Sequence, residues 1–209
     1  MQYEIHQSGE SPSFPTDDPF LISATKNADI VIYLGARFQP DDGKVAILTE
    51  LGTECLGVHT GENAGEEGSN VLGFSRYRNG GDAPSNLIEL VRQPATLTSA
   101  IEAAQAMFEE AGFHVAVCTD QAGRIIDRLM RPKYNDALRF LDEGLATAKD
   151  MDLTCRMGLG YPDGPIERVE RGGLAHHFDV TKSLFEIYGT PSYAPPRRAT
   201  VAKQRENLK

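Results

Sequence analysis

The chain has 209 residues, 40% of them apolar and 24% charged, enough for a packed core in one large domain or two small ones. A formal net charge of -9 argues against nucleic acid as a partner, because no local basic stripe offsets it. No apolar run nears the ~20 residues that span a bilayer, and no basic-then-apolar leader opens the sequence, so neither membrane insertion nor export is expected.

Residues 1–20 are read as a flexible N-terminal segment, because positions 7 to 20 (QSGESPSFPTDDPF) are rich in Ser, Pro and Asp. Short β-type runs follow at Ile30 to Leu34, Val45 to Leu48, Val71 to Phe74 and Leu87 to Val91, each bounded by turn-forming residues. Between the second and third lies GENAGEEGSN, residues 61 to 70, acidic and Gly-rich, which predicts a loop. Thr98 to Gly112 predicts a helix. Ser99 and Glu102 have capping-box spacing, Ile101, Ala104, Phe108 and Ala111 share a face, and Gly112 supplies the stop. His114 to Cys118 reads as one more strand, so strand, helix and strand imply a βα unit with parallel pairing.

Beyond Asp120 the sequence is helical throughout. Ala122, Ile126, Leu129, Met130, Tyr134, Ala137, Leu138, Leu141 and Leu145 recur at helical period, with Pro132 set to kink the helix rather than end it. Thr147 and Asp150 are placed to cap a helix that stops at Gly158-Leu159-Gly160. Further helices are predicted near Ile166 to Glu170 and from Gly173 to Tyr188, the last with Leu174, Phe178, Thr181, Leu184, Phe185 and Tyr188 on one side. The expected fold is a small, mostly parallel, incomplete Rossmann-like α/β remnant over residues 21–120, followed by an all-α domain over 121–209. Cys55, Cys118 and Cys155 are widely spaced and odd in number, which suggests thiols in a reducing compartment and a cytoplasmic location.

The helical half carries an ordered set of motifs. These are Gly123 to Leu129, Asn135 to Ala137, Gly144, Asp150, then Gly158, Gly160, Pro162, Gly164 and Pro165, and finally Tyr193 to Pro196. In that order they resemble the C-terminal helical domain of the 3-hydroxyacyl-CoA dehydrogenases. Upstream, residues 86 to 120 resemble the last part of that family's NAD-binding domain, and ADIVIYLG resembles a strand lying well into it. The resemblance implies that the first βαβ half of that domain is missing, that Glu89 takes the place of the carboxylate polarising the catalytic His, and that Ser75 stands where the His would be. It also places Asp127 where the family has an Asn that holds substrate or the catalytic His. Tyr134, Gly160, Pro162, Gly164 and Pro165 become candidates for an acyl pocket.

These positions depart from the family's chemistry. An alcohol loses its proton only to a base whose pKa lies near the working pH, which imidazole supplies and a serine hydroxyl does not. His59, beyond the acidic loop, is too far from Glu89 in sequence to be read as a replacement. The adjacent His176 and His177 are read as helix residues without metal or catalytic partners, and no metal is expected. For Asp127 an ion pair with Arg124 or Arg131 on the helix surface is the simpler reading. No Gly-x-Gly-x-x-Gly turn occurs in the first 120 residues, so no cofactor is expected although the family uses NAD. Arg76, Arg78 and Arg92, like Arg197 and Arg198, are read as solvated charges rather than a polyanion site.

The sequence therefore points to a 3-hydroxyacyl-CoA dehydrogenase-like protein without NAD-dependent activity of its own, whose helical domain keeps a role in homodimerisation or acyl-CoA binding. Two alternatives stay open. One is an active oxidoreductase of acyl-CoA metabolism that works with a partner chain or altered chemistry; the other is a regulatory or scaffolding subunit of a full-length dehydrogenase.

Overall fold

The computed structural model describes residues 1–61 and 70–208. The interior of the loop expected over residues 61–70 lies outside the described residues. The chain forms two compact units: Met1–Arg78 with Pro84–Arg124, and Asn79–Ala83 with Ile125–Lys209.

The first unit is built on a six-stranded sheet: β1 (Glu4–Gln7), β2 (Ile30–Leu34), β3 (Ala46–Glu50), β4 (Val71–Arg76), β5 (Leu87–Arg92) and β6 (His114–Thr119). Strands lie in chain order; all neighbours are parallel except β4 and β5, which are antiparallel. Every residue of β2 is buried, as expected of a β-branched run covered on both faces. Side-chain alternation sorts the two layers. Ile32, Leu48, Leu72, Phe74, Ile88 and Leu90 face Ala100, Ala104 and Phe108 of helix α3 (Thr98–Glu110), after two short helices, α1 (Pro19–Ile22) and α2 (Gly57–Thr60). Val31, Tyr33, Ile47, Val71 and Val91 face the other way, onto Phe38, Leu51 and Leu56. The expected β5-α3-β6 unit with parallel pairing is present.

Residues 1–20 are not a loose tail. They contribute β1, and they bury Tyr3, Phe14 and Phe20. Phe14 and Phe20 stack at 4.7 Å between centroids, and Phe20 meets the edge of Phe113 at 5.5 Å. Asp18 accepts from the Phe20 amide at 3.0 Å to cap α1 and pairs with Arg76 at 2.6 Å. Arg76, expected in solvent, is consequently buried. Three aromatic side chains outweigh the turn-forming residues around them, since each removes a large apolar area from water. The Ser99–Glu102 capping box does not form either. Helix α3 begins at Thr98 after Leu97, with no side-chain cap, so Ser99 already lies inside the helix.

The second unit comprises α4 (Ile125–Asp142), α5 (Ala148–Leu159), α6 (Pro165–Gly172), α7 (Leu174–Tyr188), a 3₁₀ turn (Pro191–Tyr193) and α8 (Arg197–Glu206). Helix α4 runs through Pro132. Thr147 caps α5 as expected, its Oγ1 accepting from the Asp150 amide at 3.2 Å and donating to the Asp150 carboxylate at 2.7 Å. Gly160 ends α5 at φ +67, a conformation that costs a side-chain-bearing residue about 1 kcal/mol or more. Helix α6 is capped from a distance: the Asp152 carboxylate accepts from the amides of Ile166 at 2.8 Å and Glu167 at 3.1 Å. That explains the glycine at its N-cap. A Cβ on Gly164 would lie 2.1 Å from Asp152 Cβ.

Two helical faces differ from expectation. On α4 the buried set is Arg131, Tyr134, Asn135, Ala137 and Leu138, while Leu129 and Leu145 stand 68% and 69% exposed. On α7 it is His177, Val180, Thr181 and Leu184, with Phe185 at the margin. Helix α8 has no apolar stripe to announce it; ion pairs of Arg198 with Asp142 and Lys203 with Asp179 hold it down. Among the described residues no helix is long and apolar enough to cross a membrane.

Candidate functional site

Strands β4 and β5 bring together two of the residues singled out in sequence. Their antiparallel register sets Ser75 directly opposite Glu89, and opposed residues in such a pair project to the same face. That face carries Val71 and Val91, away from α3. Glu89 is 1% exposed. Nearby Cys118 offers no nucleophile: burial pushes its thiol up, Arg124 pulls it down, and the Glu89 and Asp120 carboxylates add to the rise. The two strands thus set a carboxylate opposite a hydroxyl on one face, and neither strand carries an imidazole. His59 sits in α2, where its Nε2 lies 3.3 Å from Glu54.

Asp127 belongs to the helical unit. Arg131 Nε donates to its Oδ1 at 2.8 Å, the i,i+4 ion pair expected for it. Arg124 takes no part; its guanidinium donates to the carbonyls of Glu54 and Gln121. The Asp127–Arg131 pair opens a buried polar chain that the sequence did not suggest. Arg131 Nη1 donates to His177 Nδ1 at 3.2 Å, and His177 Nε2 donates to Asn135 Oδ1 at 2.8 Å. Asn135 Nδ2 donates to Thr181 Oγ1 and to the Ser192 carbonyl, both at 2.8 Å. Thr181 in turn donates to the Tyr193 carbonyl at 2.8 Å. Donor and acceptor are fixed at each step, because arginine only donates and carbonyls only accept. His177 is therefore neutral with its proton on Nε2. Burial, with Arg131 and His176 adding, lowers its pKa to about 3. The readable signal was the i,i+4 pairing of Arg131 with Asn135 on α4 and of His177 with Thr181 on α7, two polar pairs at core positions.

Four of the five acyl-pocket candidates, Tyr134, Pro162, Gly164 and Pro165, line one cavity of about 320 Å³ in the helical unit. Gly160 instead shapes the turn that leads to it. Ile126, Leu129 and Met130 supply the apolar wall, and Lys133 and Arg168 stand at its edge. Among the described residues no cluster of three or more His, Cys, Asp or Glu side chains could hold a metal ion.

Comparison with known proteins settles what the helical unit is. Residues 123–207 match the family model of the 3-hydroxyacyl-CoA dehydrogenase C-terminal domain. Hydroxyacyl-coenzyme A dehydrogenase, mitochondrial, of Sus scrofa is 33% identical over 100 residues, 48% of this chain and 31% of that protein. The 3-hydroxybutyryl-CoA dehydrogenase of Mycobacterium tuberculosis is 34% identical over 115 residues, 53% of this chain and 39% of that protein. Over residues 123–207 the chain is similar to the C-terminal domain of the 3-hydroxyacyl-CoA dehydrogenases.

The match thus spans 31% to 39% of the length of these relatives. The crystal structure of M. tuberculosis FadB2 superposes with a TM-score of 0.70 at 21% identity, covering 85% of this chain and 66% of that one. That of (S)-3-hydroxybutyryl-CoA dehydrogenase from Ralstonia eutropha gives 0.66 over 86% and 65%. At these identities the likeness shows the dehydrogenase fold: the mostly parallel sheet followed by the helical domain.

Proposed function

We propose that this 3-hydroxyacyl-CoA dehydrogenase-like chain has lost the alcohol-oxidising centre and keeps a helical domain that binds an acyl-CoA and pairs with a second copy. The observation that carries this reading is the register of Ser75 against Glu89. The carboxylate that would polarise an imidazole faces a hydroxyl, whose pKa lies far above any working pH.

The residues present do not fit NAD. A dinucleotide needs a Gly-x-Gly-x-x-Gly turn against its pyrophosphate and a crevice where strand order reverses. The chain contains no such turn, and among the described residues the strands follow one another without reversal. In support of a retained binding role, the helical unit has a mostly apolar cavity lined by Tyr134, Pro162, Gly164 and Pro165. In support of pairing, Phe140 and Leu145 stand exposed beside a groove of about 630 Å³ between α4 and α5.

Two measurements on the pure chain test this. NADH oxidation with acetoacetyl-CoA is expected to be nil, and an acyl-CoA is expected to raise the melting temperature while NADH leaves it unchanged. Turnover of the thioester, or stoichiometric binding of NADH, overturns the reading.

A further inference from the structure

We propose that the cavity of the helical unit selects a short aliphatic chain bearing a carboxylate, with Lys133 as the partner of that charge. This rests on the acyl-binding reading above and adds the chemistry of the chain's end.

The cavity measures about 320 Å³, at the small end of ligand pockets, which run from about 300 Å³ upward. Ile126, Leu129, Met130 and Pro165 give it apolar walls, which favour methylene groups because each one buried is removed from water. Two cations stand at its edge, and they differ. Arg168 is paired at 3.2 Å with Asp163, a carboxylate that also lines the cavity and also holds Arg171 at 2.8 Å. Lys133 has no carboxylate partner among the described residues; its ammonium rests 3.5 Å from the centroid of the Tyr161 ring. A cation over a ring face is held in place but keeps its charge and spare N–H donors. A fixed ammonium at the lip of an apolar pocket complements an amphiphile with one anionic end, and a neutral chain would leave that charge unmatched. The same chemistry has two sources, a free fatty carboxylate and an acyl thioester carrying a second, terminal carboxylate.

Calorimetric titration of the full chain with octanoate, 1-octanol, hexanoyl-CoA and adipoyl-CoA separates these. Lys133→Met keeps the apolar stem and is expected to weaken the carboxylate ligands about five- to tenfold, as for one charge-assisted contact near the surface. Lys133→Arg restores binding, added salt mimics the loss, and octanol and hexanoyl-CoA are unchanged. Loss for octanoate alone identifies a free acid, and loss for adipoyl-CoA alone a carboxyacyl thioester. Equal loss for hexanoyl-CoA means that the lysine reads coenzyme phosphate and overturns the proposal. So does an unchanged Lys133→Met, in which case acyl-CoA binding itself still stands. If neither thioester binds, the acyl-CoA-binding reading falls, and the carboxylate proposal is then judged on octanoate, whose failure to bind sinks it too.

Discussion

Asn135 uses both ends of its amide, accepting from His177 and donating to Thr181 and the Ser192 carbonyl. A carboxylate accepts only. In Asn135→Asp the Ser192 carbonyl loses its donor, and Thr181 must choose between the new carboxylate and Tyr193. A charge is also left in a fully buried position. The expected loss is about 3 kcal/mol or more of unfolding free energy, read as a lower urea midpoint at neutral pH. An unchanged midpoint would show that the chain of hydrogen bonds carries no structural weight. That Ser75 and Glu89 lie on or beside neighbouring strands was legible at this scale, because β-type runs adjoin or contain them. His177 was not: a histidine in an amphipathic helix is indistinguishable from a surface one until the partner helix is known.

Helices α4 and α7 meet through that histidine, so their junction depends on its protonation. His177 faces Arg131 from α4, with Asp127 on the far side of that guanidinium; His176 precedes it on α7, and the Tyr134 ring lies edge-on at 5.9 Å. Its pKa is lowered in the folded chain to about 3 from an ordinary value near 6.5. Between these values the unfolded chain binds the proton and the folded chain does not. Stability is therefore fully present above pH ~6.5 and falls as the pH drops toward 3, by at most about 1.4 kcal/mol per pH unit from this group. Urea unfolding at pH 7.5 and 5.5 should show the difference, and His177→Gln should flatten it while lowering the starting stability. Equal pH dependence in the variant would assign the effect to carboxylates elsewhere. The sequence disclosed where helices α4 to α7 lie, because Gly, Pro and Thr mark their ends. It misplaced their inward faces, because polar residues occupy core positions there and the apolar period alone points elsewhere. Helix α8, held by ion pairs, had no period to read.

For the molecule as a whole, the apolar residues left outside are as informative as those inside. Phe140 is 44% exposed and Leu145 69%, and both border the α4–α5 groove. Light scattering at tens of micromolar is expected to give twice the chain mass of 22.8 kDa. Phe140→Glu with Leu145→Glu is expected to return it to 22.8 kDa with little change in melting temperature, since neither side chain is in the core. A wild-type monomer would refute pairing. The sheet's inner strands were evident from their β-branched runs; β1 was missed because four half-polar residues give no pattern, and the aromatic residues that fasten the first twenty are scattered among turn formers.

That fastening bears on how the polypeptide is born. Phe14 and Phe20 leave the ribosome well before Phe108 and Phe113, against which they close and which lie in and just after α3. Until then the aromatic side chains are open to water and to other nascent chains, a state that favours association over folding. Pairings so distant along the chain also form slowly, so the α/β unit should depend on protection during synthesis more than the locally connected helices do.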